Sequence, residues 1–542
     1  MRTPRMRSRR WIVPAVAATA IAFTPAITAA QADGALGKEA CASGTTVQTD
    51  KGSVCGLVAD GVRSWLGIPY AAPPLKELRW APPQAAKPWT TTLEATTAPT
   101  SCPQPQGLGP GSTNEDCLHV SVTAPEKTDG KPLPVMVELH GGGFRFGAPS
   151  DGKHLVKEGG VINVGVYYRL NIFGYMAHKS LGTTSGNYAL RDQQAALSWV
   201  QANIAKFGGD PKNVTIYGAS AGGSSVCANT ASPTAKGLFQ KGIPQSGEYN
   251  SIRGVDVQWQ AQDCAAKLPT LAEAQEQGER FAKAVGCGGV ADQAACLRAV
   301  PVDKLLQQTG RGTGQDVGTQ APIVDGVVLP LSPAQAFQEG KVNDVTLMHG
   351  VDRDETQLPS ANTPEQYRAN IQQQYGDIAD EVMKLYPLER FPDPAAFIAY
   401  RTIVADSNSV CRALITDQRL AKHIKLFAYQ TDNFDAPPMF FLDKTKPNGA
   451  YHISESVFLS PFGDTGDLTP NQVSFGKQLT SQWTGFARTG DPTVPGTPLW
   501  TPFTDADQGV MSLVPAGDSE MTREIGRQHH CDFWKKYMPF TK

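Results

Sequence analysis

The 542-residue chain has no C-x-x-C pair, no block of lysine or arginine beyond its first ten residues, no internal repeat and no long low-complexity linker. Beyond its amino terminus it also lacks any apolar run long enough to span a membrane. Each absence removes a class of protein. Without C-x-x-C spacing or cysteines beside paired histidines, a structural zinc site is not expected. A formal net charge of −2 with no basic cluster argues against nucleic acid as a partner. Without a second apolar run, stable membrane insertion is not expected either. The length would allow several ordinary domains. With no linker to separate them, one enlarged domain over residues 33–542 is the better expectation.

What the first residues do have is charge of one sign. Arg2, Arg5, Arg7, Arg9 and Arg10 precede a short alanine-rich run interrupted by Pro14 and Pro25. This pattern reads as a secretory signal over residues 1–32, with cleavage near Ala30 or Ala32. Ser8-Arg9-Arg10 also resembles a twin-arginine signal, but the general secretory route is the expectation. Loss of five arginines and no acid takes the net charge from −2 to −7. All ten cysteines lie in what remains, an even number that favours disulfides in an exported chain. Cys41/Cys55, Cys102/Cys117 and Cys287/Cys296 are close enough to staple local loops, although spacing alone leaves the pairing open.

The mature segment alternates β-branched apolar runs with glycine turns and helical patterns, the signature of an α/β fold. SVCGLVADGVRSWLGIPYA predicts a small β region. LPVMVELH (133–140), VINVGVYYRL (161–170), NVTIYG (213–218), VTLMHG (345–350) and KLFAYQ (425–430) predict strands. ALRDQQAALSWVQANIAKFG predicts a helix with Leu190, Leu197, Val200, Ile204 and Phe207 on one face, stopped by Gly208. Residues 251–320 and 361–410, rich in Gln, Ala and Glu, predict mostly helical insertions.

Ser220 stands in Gly218-Ala219-Ser220-Ala221-Gly222, between the strand TIY and a helix-compatible run. With 53 glycines in the chain, a chance G-x-S-x-G is expected about 0.3 times, so the pentapeptide alone decides little. Context adds weight. A serine hydroxyl is a weak nucleophile until a base takes its proton, and the base needs an acid to orient it. In a strand–turn–helix elbow the partners follow as acid, then histidine. Glu355 follows the strand VTLMHG, with Asp352 and Asp354 as competitors. Of the later histidines, His452 lies in a loop, His423 in a predicted helix, and His529 and His530 in the terminal segment. His140-Gly141-Gly142-Gly143-Phe144 offers exposed backbone N–H groups suited to an oxyanion, or else only a glycine turn.

Together these blocks resemble the type-B carboxylesterase/lipase family, which includes the cholinesterases. The resemblance spans nearly the whole mature chain. It rests on GIPYAAPP, EDCLHV, HGGGF, GNYALRDQQAALSWVQANIAKFGGDPKNVTIYGASAGG, FQKGIPQSG, APIVDGVVLP, GVDRDET, GAYHISE, WTGFARTGDP and CDFW. It implies an α/β-hydrolase fold, a mostly parallel twisted central sheet with helices on both faces and large helical insertions. It implies Ser220 as nucleophile, Glu355 as acid and His452 as base, with Gly142, Gly143 and Ala221 forming the oxyanion hole. Ser246 would support the acid, and Arg79–Glu115 and Arg169–Asp192 would be structural ion pairs. The family pattern pairs Cys102–Cys117, Cys287–Cys296 and Cys411–Cys531. Cys41–Cys55 would then be an extra bridge, with Cys227 and Cys264 either a fifth bridge or buried thiols.

Its implied activity is carboxylic ester hydrolysis on small-molecule or lipid esters, with no metal or organic cofactor. Lipase, lactone or polyester hydrolysis by the same machinery, and a non-catalytic adhesion protein on the same fold, are the alternatives. Oligomeric state is not legible. Four departures stand out. Ala219 replaces the glutamate that cholinesterases carry before the serine, and the segment between Cys102 and Cys117 holds no aromatic residue for a quaternary ammonium. Ile453 replaces a glycine after the histidine, and Ala189 another glycine. Phe144, Phe146, Tyr249 and Trp259 are candidates for aromatic pocket walls and equally for core packing.

Overall fold

The computed structural model describes residues 40–106, 109–248, 263–265, 267–309, 320–355, 361–439, 442–459 and 468–538. The predicted leader, Tyr249 and Trp259 lie outside them. An eleven-stranded sheet runs through the described residues. Its strands are β1 (Leu57–Ala59), β2 (Val62–Pro69), β3 (His119–Pro125), β4 (Leu133–Leu139), β5 (Ile162–Val166) and β6 (Gly209–Ala219). They continue with β7 (Lys241–Gln245), β8 (Thr346–Asp352), β9 (Leu426–Thr431), β10 (Val510–Leu513) and β11 (Glu520–Thr522). The spatial order is β11-β10-β9-β8-β7-β6-β4-β5-β3-β2-β1. From β10 through β5 all neighbours are parallel, while β11 and the β3-β2-β1 end are antiparallel. Helices pack around this α/β-hydrolase sheet, and Val47–Gln48, Ser53–Cys55 and Leu93–Glu94 form a small three-stranded sheet of their own.

Composition explains the layering. Every residue of β5, β7 and β9 is buried, as expected for parallel strands covered by helices. The helix α1 (Tyr188–Asn203) buries Leu190, Leu197 and Val200 as its periodicity requires. It ends one turn earlier than its pattern suggests. Ile204–Phe207 tightens into a 3-10 turn that still buries Ile204 and Phe207, and Gly208 closes it in the left-handed region at φ 94°. The next helix, α2 (Ala221–Ala231), is buried along its whole length. Its polar residues are satisfied by α1, with Gln193 Nε2 donating to Ser225 Oγ at 3.0 Å and Asn229 Nδ2 to Gln193 Oε1 at 2.9 Å.

The insertions are helical where described, including Leu271–Ala284, Gln293–Ala299, Pro364–Tyr375 and Ala395–Ala405. Both expected ion pairs form. Arg79 grips Glu115 through Nε and Nη2 at 2.7 and 2.5 Å, and Arg169 grips Asp192 through Nε and Nη2 at 2.7 Å each. Five disulfides are present: Cys41–Cys55, Cys102–Cys117, Cys227–Cys264, Cys287–Cys296 and Cys411–Cys531. Among the described residues no helix is long and apolar enough to cross a membrane.

One buried charge cluster was not legible beforehand. His349, in the middle of β8, has Asp417 Oδ1 at 2.6 Å from Nδ1 and Glu248 Oε2 at 3.1 Å from Nε2, with no ring exposure. Burial opposes its charged form, but Glu248 and Asp417 outweigh burial and hold the imidazole well above its ordinary value. His349→Gln is expected to cost about 3 kcal/mol, because it leaves two buried carboxylates without their cation. A raised histidine stabilises fully below its unfolded value and loses that contribution as pH rises through its folded value. Chemical denaturation of both proteins should therefore show the full gap near pH 6 and a narrowing gap in strongly alkaline buffer. An equal gap at all pH would refute a charged His349.

Candidate active site

β6 ends at Ala219 and α2 begins at Ala221, leaving Ser220 alone on the turn at φ 60°, ψ −124°. A non-glycine residue there is strained, and such strain persists only where packing over-determines it. The neighbouring glycines show the packing. A Cβ on Gly218 or Gly222 would sit 2.1 or 2.0 Å from the carbonyl oxygen of Leu139, and one on Gly223 2.4 Å from that of Gln245. The small residues around the serine are thus dictated by the ends of β4 and β7.

Register brings the other residues to the same edge. Ala219 pairs with Gln245 and Gln245 with Gly350, so the carboxyl ends of β6, β7 and β8 lie side by side. Ser220 N–H donates to Gln245 O at 2.9 Å, and Ser246, one residue beyond β7, donates from its N–H to Gly350 O at 2.8 Å. Ser246 Oγ then donates to Glu355 Oε2 at 3.0 Å, as does the Asp352 N–H. The remaining oxygen, Glu355 Oε1, accepts from His452 Nδ1. Glu355 and His452 are both buried, while Ser220 is partly exposed. An imidazole held this way keeps its proton on Nδ1 and makes Nε2 the nitrogen able to accept another.

The glycine loop follows β4. Gly142 and Gly143 take φ 110° and 65°, and a Cβ on Gly142 would overlap Phe146 O at 1.9 Å. Gly141 packs on the elbow itself, its hypothetical Cβ falling 2.6 Å from Ala219 O. The loop carrying Gly142 and Gly143 therefore lies against the turn carrying Ser220 and Ala221. His140 anchors it, stacked on Tyr168 with ring centroids 4.4 Å apart. Burial pulls His140 down to about 4, so it is neutral at physiological pH.

The Carboxylesterase family profile matches residues 43–534. The para-nitrobenzyl esterase of Bacillus subtilis (strain 168) is 32% identical over 507 residues, covering 88% of this chain and 96% of that protein. The acetylcholinesterase of Bungarus fasciatus is 30% identical over 544 residues, covering 91% of this chain and 86% of that one. A solved para-nitrobenzyl (PNB) esterase superposes with a TM-score of 0.72 at 31% identity, over 90% of this chain and 99% of that structure. The chain belongs to the carboxylesterase family. Its chemistry is carboxylic ester hydrolysis.

Within this carboxylesterase the competing residues have other places. Asp354 accepts from the Ala450 N–H at 3.0 Å, and His423 lies in the turn after the helix Cys411–Leu420. His529 Nδ1 is paired with Asp406 at 2.5 Å, and His530 lies edge-on to Tyr386. Phe144 is fully buried against Tyr175, so it is core and not pocket wall. Phe146 is partly exposed, its ring near Gly142. Ile453, the departure after His452, holds φ 64°, which costs a β-branched residue about 1–2 kcal/mol. The left-handed step turns the chain, so that His452 meets Glu355 while Ser454 donates through Oγ and N–H to Asp352 at 2.7 and 3.2 Å.

Sequence reasoning missed Gln245 and Glu455 behind the dyad and had Asp352 only as a competitor for the acid. Gln245 Nε2 donates to Glu455 Oε1 at 2.7 Å, and Glu455 in turn faces Asp352. The signal was the density of acids in VDRDE, read only as competitors for one role, together with the acid in HISE, which was not weighed.

Proposed function

We propose that this carboxylesterase is a secreted serine esterase working through Ser220, His452 and Glu355. The observation that carries this reading is Glu355. Three donors converge on the carboxylate, one of them His452 Nδ1, beside the strained serine turn. His452 Nε2 takes the Ser220 hydroxyl proton as Oγ bonds to the ester carbonyl carbon. The carbonyl oxygen becomes an oxyanion that accepts from the N–H groups of Gly142, Gly143 and Ala221. Collapse expels the alcohol, which leaves with the proton held on His452. Water repeats the sequence on the acyl-serine and releases the acid. Glu355 keeps the imidazole oriented and stabilises the imidazolium.

Ala219 puts no charge beside Ser220, and the Cys102–Cys117 segment carries no aromatic face, so uncharged alcohols fit better than choline. Export is supported by the arginine-led apolar leader and by five disulfides, which persist in oxidising compartments. The test is covalent. A short-chain alkyl organophosphonate should label the protein once per chain, on the peptide carrying Ser220, with loss of nitrophenyl-ester turnover in proportion. Turnover that survives complete labelling, or labelling at another serine, would refute the assignment.

A further inference from the structure

Glu355 is one of three carboxyl groups buried together near the ends of β7 and β8, with Asp352 and Glu455, and Glu455 is short of donors. Ser454 serves Asp352 twice, at 2.7 Å through Oγ and 3.2 Å through N–H. Gln245 serves only one oxygen of Glu455. Glu455 Oε2, fully buried, meets no N–H or hydroxyl donor among the described residues. The Glu455 carboxyl group faces that of Asp352. Ser246 has a single hydroxyl proton and stands 3.0 Å from Glu355 but 3.5 Å from Asp352. Two carboxyl groups in contact cannot both be ionised in a buried site, and they bond only through a proton.

Resting on the proposed triad, we infer that Asp352 and Glu455 hold one proton between them and act as a positioning pair behind Glu355. The pair leaves the Ser246 proton to Glu355 and spares the acid that orients His452 the second of the two charges it would otherwise face.

The surroundings agree from each side. The groups acting most strongly on the pair are Glu355, Ser454 and Gln245, none of them cationic. Tyr429 on β9 and Tyr451 beside His452 also face it, and burial keeps both phenols neutral. The Tyr451 hydroxyl is turned away, donating to Pro437 O at 2.7 Å. Glu248 also acts on Tyr429, less strongly than the three carboxyl groups. Burial, and then the charges of Glu455 and Glu355, push Asp352 well above the usual carboxylate range. Burial raises Glu455 as well.

Infrared difference spectra of the purified full chain at pH 8 read the proton directly. Wild type minus Asp352→Asn, and wild type minus Glu455→Gln, should each show a protonated-carboxyl carbonyl band. The band should titrate away in alkaline buffer together with kcat. In parallel, Asp352→Ala and Glu455→Ala should lose about tenfold in kcat with KM nearly unchanged, through a misplaced imidazole. The amide variants, which supply a fixed N–H donor in place of the proton, should recover most of that loss. Absence of the band from both spectra, or wild-type kcat in a folded alanine variant, would overturn the pair. If an alanine variant does not fold, the two amide spectra decide. Ser220→Ala run alongside separates the outcomes. A failed pair leaves that variant inactive, whereas turnover by it would unseat the triad.

Discussion

Alanine at position 220 is expected to lower kcat toward a short-chain nitrophenyl ester by about six orders of magnitude, and glutamine at position 355 by about four. The two losses differ because they remove different things. Without Oγ there is no acyl-enzyme, and only binding and the oxyanion donors remain. Glu355→Gln keeps the shape of the side chain but reverses one contact. The Ser246 hydroxyl and the Asp352 N–H both donate toward Oε2, so the amide oxygen will settle there. The amide NH2 then faces His452 Nδ1, which can only accept from it. The ring proton moves to Nε2, and the imidazole can no longer take the serine proton. Steady-state kinetics with active-site titration checks the ranking. A glutamine variant within tenfold of wild type would show that another group orients His452.

Loss of the Cys411–Cys531 bridge is expected to be the most costly of the five. It closes a sequence separation of 120, against 9 for Cys287–Cys296. Loop-closure entropy assigns about 4.9 kcal/mol to the longer loop and about 2.7 kcal/mol to the shorter. Both sulfurs of the long bridge are buried, and it joins the helix Cys411–Leu420 to the carboxy-terminal helix Cys531–Trp534. Paired alanine variants, Cys411→Ala with Cys531→Ala and Cys287→Ala with Cys296→Ala, should therefore rank in that order in denaturant unfolding without reductant. Equal losses would mean that local packing, and not the unfolded chain, sets the value of each bridge.

The sheet was legible where strands carry uninterrupted β-branched runs, as in VINVGV and VTLMHG. β7 was not. Its sequence, Lys-Gly-Ile-Pro-Gln, has a charge and a proline, which normally exclude a central strand. The structure tolerates Pro244 because the pairing of β7 with β8 skips Ile243 and Pro244 between Gly242 and Gln245. The long helix Pro470–Thr489 was also missed as an element, although its start carries a capping box from Thr469 to Gln472. At the site, the spacing of Ser220, Glu355 and His452 was readable because each falls in a loop of distinctive composition. The proton-sharing pair was not, because buried acids look like surface acids until their donors can be counted.

The proposed nucleophile is made long before its base. Ser220 follows the sixth of eleven strands, while Glu355 and His452 come after the eighth and ninth, and those two are themselves separated by 97 residues. A nascent or truncated chain that ends before His452 has no such imidazole to draw off the serine proton. Hydrolytic competence thus arrives only when the carboxy-terminal strands close the sheet, and an abandoned translation product is chemically silent.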